Sequence, residues 1–107
     1  MKISKFLLII FFIFTINIQN SSADDAKMIK GLEIFNETAG CAGCHTLKAA
    51  GSDANIGPNL DTVTLTEELV KEMVTHGLGV MPAYGEGILT KEEIDIVSFY
   101  VANSAGK

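Results

Sequence analysis

Two cysteines and a histidine form the densest cluster of reactive side chains in the sequence. They stand together as Cys41-Ala42-Gly43-Cys44-His45, and the chain has no further cysteine. Two thiols one helical turn apart can each add to a haem vinyl group, and the adjacent imidazole can bind the iron. The Cys-x-x-Cys-His spacing therefore predicts one covalently attached haem, with its iron, at this point of the chain.

Three other interpretations of the cysteine pair compete with haem. A disulfide would close only a very short loop and add little stability. A thioredoxin-type redox pair is expected in a βαβ context, which the sequence does not predict. Zinc needs more Cys and His ligands, and His76 is the one other histidine. Haem is favoured over all three.

A second axial ligand is predicted at Met81, which stands in a Gly-rich loop directly before Pro82. Met28 and Met73 fall on the apolar faces of predicted helices, where core packing is the simpler role. His76 competes as a ligand, but a solvated position at a helix end suits it better. Ligation by His and Met raises the reduction potential relative to two His ligands, which suits an electron carrier.

A hydrogen-bond acceptor for the first ligand is predicted at Pro58, in the segment Gly57-Pro58-Asn59-Leu60. A neutral His ligand needs its Nδ1–H held by an acceptor, which fixes the tautomer and the ring orientation. Proline lacks an N–H but has a free carbonyl that could serve. A simple Gly-Pro turn is the alternative.

Apolar residues at helical spacing predict three helices that position these side chains. The first runs from Asp25 to about Thr38, with Asp24 and Asp25 at the positive end of its dipole. The second covers about Glu67 to His76, and the third runs from Lys91 to about Asn103. No run alternates long enough to predict a strand, so the expected fold is all-α.

Five residues are expected to mark the helix ends. Thr66 is a predicted N-cap, and Thr90 with Glu93 forms a Thr-x-x-Glu capping box. Gly40 and Gly77 mark the C-terminal ends of the first two helices. The segments between the helices are long for so small a domain, which indicates that they wrap around something.

The N-terminal segment, residues 1–23, is predicted to be a cleavable secretory signal. Lys2 and Lys5 precede an apolar run from Phe6 to Ile18, and Ala23 ends a polar stretch with a small residue. An uncleaved membrane anchor is the alternative, but the run is short for the roughly 30 Å hydrocarbon core. Cleavage leaves one domain, residues 24–107, whose core is thin enough to need a disulfide, metal or cofactor.

The charge balance excludes nucleic acid as an expected partner. The chain has 13 Asp and Glu residues against 8 Lys and Arg, a net charge of −5, whereas nucleic-acid binding calls for clustered cations. Because the predicted signal carries two lysines and no acid, the remaining domain is more acidic still. Partners with basic docking patches are expected.

From Asp24 to Lys107 the chain resembles the bacterial class I c-type cytochromes. The resemblance rests on the order of Gly31 and Phe35, the Cys-x-x-Cys-His motif, the Gly-Pro-x-Leu segment, the Met-Pro loop and an aromatic at Tyr100. It implies a small cytochrome c fold, with three to four short helices and loops around one covalent haem c. The terminal helices would cross, with Gly31 allowing their close approach.

The resemblance also assigns roles to six residues. Cys41 and Cys44 would be the thioether attachments, His45 the proximal and Met81 the distal axial ligand, Pro58 the carbonyl partner of His45, and Leu60 a haem-packing residue. The stretch between Phe35 and Cys41 is about two residues longer than in many relatives. Because the chain lacks Trp, hydrogen bonds to the haem propionates must come from elsewhere, with Tyr84 and Asn55 as candidates.

The expected function is that of a soluble periplasmic electron carrier, a monomer that exchanges single electrons with redox proteins by transient docking. With both axial positions filled, chemistry on a substrate at the iron is disfavoured, so an enzyme is not expected. One alternative is a small haem subunit of a periplasmic dehydrogenase or terminal oxidase. A lower-ranked alternative is a haem peroxidase or gas-binding protein with an open iron site.

Overall fold

In the part of the chain that the structure describes, three α-helices and a two-stranded ribbon form the fold. The computed structural model describes the backbone of residues 19–107 and the side chains of residues 22–107. The helices are α1 (Gln19–Glu33), α2 (Glu67–His76) and α3 (Lys91–Ser104), and the strands are β1 (Thr46–Leu47) and β2 (Ser52–Asp53). A π-helical turn (Ile34–Thr38) and two 3₁₀ turns (Cys41–Gly43 and Lys48–Ala50) complete the described elements. The expected all-α fold is confirmed, and the ribbon is a minor addition.

The first helix differs from the prediction at its N-terminal side. α1 already includes Gln19, so Asp24 and Asp25 lie inside the helix instead of at its positive end. The physical reason is that no Gly or Pro stands between Gln19 and Asp24 to interrupt the helix. Most of the predicted signal, residues 1–18, lies outside the described residues.

The C-terminal part of the predicted first helix is a π-helical turn. The Ala39 N–H donates to the Ile34 carbonyl over 2.8 Å, which is an i→i+5 bond. The helical conformation ends at Thr38, as predicted, and Gly40 follows with a left-handed φ of 69°.

The terminal helices α1 and α3 pack at very close range through Gly31. A side chain at Gly31 would overlap Cβ of Tyr100 and come within 3.2 Å of the Ile96 carbonyl oxygen. Beside this contact the Phe35 and Tyr100 rings pack with centroids 6.1 Å apart and planes tilted by 59°. The expected close approach at glycine is therefore present.

The predicted ends of α2 and α3 are confirmed. The Thr66 hydroxyl accepts from the Leu69 N–H over 3.1 Å, and the complete capping box of Thr90 and Glu93 begins α3. Gly77, with a φ of 70°, ends α2. An ion pair of 2.8 Å between Lys71 and Asp95 joins the two helices.

The β1–β2 ribbon was not predicted. Two residues per strand are too few to show an alternating pattern, and the left-handed Gly51, with φ of 71°, makes the turn between them. Asp61 anchors the ribbon, because its carboxylate accepts from the backbone N–H groups of Lys48 at 2.8 Å and Gly106 at 2.9 Å. These two bonds lower the Asp61 pKa below its usual value.

The buried core is small and apolar. It lies between α1, α2 and α3 and consists of Ile34, Phe35, Leu47, Val70, Val74, Leu89, Ile94, Val97, Tyr100 and Val101. Within the described part of the chain, no helix combines the length and the hydropathy needed to cross a membrane.

Candidate haem site

The Cys-x-x-Cys-His segment follows directly from the end of the first helical stretch. Gly40 reverses the chain, and the 3₁₀ turn Cys41–Gly43 is closed by bonds of 3.1 Å and 3.0 Å from the N–H groups of Cys44 and His45 to the Cys41 carbonyl. The tight turn presents both cysteines and His45 on the wall of one cavity. Neither thiol is engaged in a disulfide.

The His45 ring is fixed from two sides. Its Nδ1 lies 2.8 Å from the carbonyl oxygen of Pro58, so in the tautomer that protonates Nδ1 the ring donates to that carbonyl and leaves Nε2 free. Gly57 lies directly against the imidazole, since a Cβ there would come within 2.6 Å of His45 Cε1. The Gly57 N–H in turn donates to the Cys44 carbonyl over 2.7 Å. Gly57 and Pro58 together hold the ring in one orientation.

Met81 lies in a loop, residues 77–89, that we call the Met81 loop. Leu78 and Met81 exchange two backbone hydrogen bonds of 3.2 Å and 3.0 Å around a turn in which Gly79 has a φ of 59°. At the start of the loop, Gly77 lies so close to Met81 that a Cβ there would be 2.5 Å from the Met81 carbonyl oxygen. Met81 is half-buried and lines the same cavity as His45.

The cavity has a volume of about 410 Å³ and an almost wholly apolar wall. Among the described residues that line it, none is Asp, Glu or Lys. Its polar side chains are those of Cys41, Cys44, His45 and Tyr84. The apolar wall comes from α2, α3, the π-helical turn and both long loops, with Phe35, Ile56, Leu60, Val63, Leu65, Leu69, Val70, Met73, Val74, Val97 and Val101 among its members.

Burial sets the ionisation of the groups beside the cavity. It raises the pKa of the Cys41 thiol to about 11, with a smaller contribution from Cys44 in the same direction. The free thiol therefore stays protonated at neutral pH. Burial also raises the Tyr84 pKa, so its phenol keeps its proton over the same range.

The structure separates the competing candidates named from the sequence. His76 is exposed, lies 3.6 Å from Glu72 and does not line the cavity. Met28 packs against the core, as expected, whereas Met73 lines the cavity, which the sequence-based assignment to the core missed. The helical pattern shows that Met73 faces inward but does not tell core from cavity.

The two candidates for hydrogen bonds to haem propionates are placed less favourably. Asn55 is exposed and is not among the cavity residues. Tyr84 lines the cavity, but its hydroxyl donates to the Ala39 carbonyl over 3.1 Å. The contact between Gly57 and the His45 ring was also not predicted. A glycine directly before the proline of a short motif was the available signal.

The arrangement fits a haem by its chemistry. Two free thiols, an imidazole with Nδ1 held and a thioether all meet one apolar cavity, and glycines stand where side chains would crowd the ring and the Met81 loop. Imidazole, thioether and thiols are the groups that hold haem in c-type proteins. Fold and site together define a c-type cytochrome.

Comparisons with known proteins agree with this assignment to the c-type cytochromes. Residues 26–101 match the family described as "Cytochrome C oxidase, cbb3-type, subunit III", and the chain belongs to this family of cytochromes c. Cytochrome c6 of Leptolyngbya boryana is 35% identical over 88 residues, covering 77% of this chain and 98% of that protein. Cytochrome c6 of a Picosynechococcus strain is 34% identical over 91 residues, covering 75% of each chain.

A solved structure extends the match to three dimensions. The c-type cytochrome SorU from Sinorhizobium meliloti superposes with a TM-score of 0.72 at 46% identity, covering 78% of this chain and 95% of that one. The chain is thus a class I c-type cytochrome that carries covalent haem c and transfers electrons.

Proposed function

We propose that the chain is an exported electron carrier whose haem is attached at Cys41 and Cys44 and ligated by His45 and Met81. The observation that carries this proposal is the meeting of both cysteines, His45 and Met81 on the wall of one apolar cavity. When bound, haem supplies reversible one-electron chemistry at its iron.

The proximal side depends on Pro58 and Gly57. The Pro58 carbonyl accepts the Nδ1 proton of His45, which leaves Nε2 as the ligating nitrogen and makes the imidazole a stronger donor. Gly57 leaves room for the ring at contact distance. Leu60 supplies apolar wall on the same loop.

On the distal side, Met81 is favoured over Met73. Both thioethers reach the cavity, but Met73 is carried by α2, whereas Met81 lies in a loop fixed at Gly77 and by the Leu78–Met81 pair. Two filled axial positions leave no place for a substrate on the iron. The proposed role is therefore electron transfer without catalysis, and peroxidase or gas-binding activity is not proposed.

The test is the long-wavelength absorption band of the oxidised protein that reports a sulfur–iron bond. Met81→Ala should abolish this band and keep the covalent haem, whereas the matched variant Met73→Leu should retain the band. Loss of the band in Met73→Leu together with its survival in Met81→Ala would assign the ligand to Met73.

Cys44→Ala should leave at most one-point attachment, measured as the yield of covalent haem.

We also propose how partners dock. Exposed apolar side chains surround the cavity mouth, with Val80 exposed at 92%, Ile56 at 71% and Leu78 at 69%. α2 brings Leu69 to the cavity and carries exposed Glu67, Glu68 and Glu72 beside it. This surface fits a redox partner whose own apolar patch is edged by basic residues.

Electron self-exchange between oxidised and reduced copies tests the docking face without a known partner. Val80→Glu and Ile29→Glu give the same net charge, but Ile29 lies on α1, is 72% exposed and does not line the cavity. We expect Val80→Glu to slow self-exchange strongly and Ile29→Glu to slow it only by the shared change in charge. Equal slowing would remove the cavity mouth from the proposal.

A subunit role is the second candidate function. It is favoured by the family description, which names a subunit of an oxidase. The exposed apolar residues around the cavity would serve a permanent interface as well as a transient one. Gel filtration of a native extract separates the two functions, because a carrier elutes near its own mass and a subunit elutes with its complex.

Export is proposed from residues 1–23. Cleavage before Asp24 would place Asp24 and Asp25 at the N-terminus of a shortened α1, where their charge favours the helix dipole. N-terminal sequencing of the protein from both the periplasmic and the membrane fractions tests this. A periplasmic protein that starts at Asp24 would support cleavage, and a membrane-bound protein that starts at Met1 would support an uncleaved anchor.

A further inference from the structure

The Met81 loop is held to the rest of the protein at Tyr84. The Tyr84 N–H donates to the Val74 carbonyl over 3.0 Å, and the Tyr84 carbonyl accepts from the Leu89 N–H over 2.9 Å. Both ends of this backbone unit are thus fixed, one to α2 and one within the loop. The side chain is half-buried and lines the cavity.

The Tyr84 hydroxyl makes a contact of a different kind. It donates to the Ala39 carbonyl over 3.1 Å, across 45 positions in sequence. Ala39 stands two residues before Cys41, where the first helical stretch ends, and carbonyls at a helix C-terminus lack partners inside the helix. Among the hydrogen bonds that join described residues, this one links the Met81 loop to the segment that carries the cysteines.

We propose that Tyr84 is a positioning residue for the distal ligand: its hydroxyl ties the Met81 loop to Ala39 and so favours the ligated position of the Met81 sulfur. This inference rests on the proposed ligation by Met81 and deepens it. The cysteines fix haem to the segment after Ala39, while Met81 approaches on a separate loop, three residues before Tyr84. A bond between loop and segment therefore acts directly on the separation that ligation requires.

The expected size of the effect on Met81 ligation follows from the strength of one hydrogen bond. A net intramolecular hydrogen bond is worth roughly twofold to tenfold in an equilibrium constant. Loss of the hydroxyl should raise the fraction of molecules in which Met81 is off the iron by about that factor. The thioether remains the major ligand at equilibrium, so the effect is best measured by competition.

The experiment is imidazole binding to the oxidised holoprotein. Imidazole must displace the Met81 sulfur, so its apparent affinity reports the equilibrium between bound and free Met81. Tyr84→Phe removes only the hydroxyl and should bind imidazole about twofold to tenfold more tightly than the wild type. Tyr100→Phe is the matched control, because Tyr100 is the other tyrosine, is carried by α3 and buried against α1, and does not line the cavity.

The outcomes separate the two proposals. Unchanged imidazole affinity in Tyr84→Phe, or an equal change in Tyr100→Phe, overturns the positioning role while leaving Met81 as the ligand. Both proposals are overturned if the wild-type protein lacks the sulfur–iron band and binds imidazole with the same affinity as Met81→Ala. Loss of the band on mild warming gives a second measurement on the same variants, and it should occur at lower temperature in Tyr84→Phe alone.

Discussion

Replacement of Gly57 by alanine is the most direct perturbation of the proximal ligand. The added Cβ would lie 2.6 Å from Cε1, 2.8 Å from Nδ1 and 3.1 Å from Nε2 of His45. Ordinary contact begins near 3.4 Å, so the ring must retreat by about 0.8 Å or the loop must shift. The backbone of Gly57 has little freedom to shift, because its N–H donates to the Cys44 carbonyl over 2.7 Å.

The magnitude has two parts. Overpacking by one methyl group costs about 1–3 kcal/mol. A retreat of about 0.8 Å directed away from Pro58 would lengthen the 2.8 Å contact of Nδ1 with the Pro58 carbonyl beyond hydrogen-bond distance, which costs roughly 1 kcal/mol more. The expected loss of stability is therefore about 2–4 kcal/mol. In a domain of this size each kcal/mol lowers Tm by about 4–8 °C.

Gly43→Ala is the matched control within the same motif. A Cβ at Gly43 meets no atom within 4 Å, and its φ is not left-handed. Thermal unfolding of the holoproteins, followed by haem absorbance, should give a Tm lower by at least about 8 °C for Gly57→Ala and little change for Gly43→Ala. The reduction potential should also rise in Gly57→Ala, because a weakened Nδ1–H bond makes the imidazole a poorer donor to oxidised iron. If both variants keep the wild-type Tm and potential, the proposed contact of Gly57 with the ring is refuted.

Two further predictions concern the scaffold. Gly31→Ala should lower the free energy of unfolding, measured in urea, by about 2 kcal/mol, because the added Cβ would overlap Tyr100. The cost of this overlap outweighs the roughly 1 kcal/mol that Ala gains over Gly in a helix. Equal or higher stability would contradict the close approach of α1 and α3. The lowered Asp61 pKa implies stability that is present above its ordinary value of 3.8 and is lost as pH falls through the lower folded value. Urea midpoints at pH 7 and at pH 3 should therefore differ less in Asp61→Asn than in the wild type, and an unchanged difference would show that the bonds to Lys48 and Gly106 do not carry the linkage.

The local features of the fold were predictable because their causes are local. Thr66, Thr90 with Glu93, and Gly77 mark helix ends through side-chain oxygens or a left-handed φ, and all are read from neighbouring residues. The contact of His45 with Pro58 was also foreseen, since a ligand histidine needs an acceptor. The roles of His45 and Met81 as ligands stay predictions for the variants above.

The features that were missed depend on contacts between distant residues. The π-helical turn at residues 34–38 has no sequence signal of its own. The Tyr84–Ala39 bond joins two loops whose relative position only the packed helices define. Met73 was assigned to the core because an inward helical face is the same for core and cavity. Periodicity shows which face is buried, but not what that face is buried against.

The overlap of core and cavity has a consequence for folding. Phe35, Val70, Val74, Val97 and Val101 belong to the buried core and also line the cavity. In the proposed haem site their apolar surface would be divided between protein contacts and the haem, so the same side chains would stabilise both haem and core. Because a domain of this size buries only a limited apolar area, ligand binding to the folded state adds directly to its stability. Folding of this cytochrome and incorporation of its haem are in this sense one coupled equilibrium, which the thioethers at Cys41 and Cys44 would make permanent.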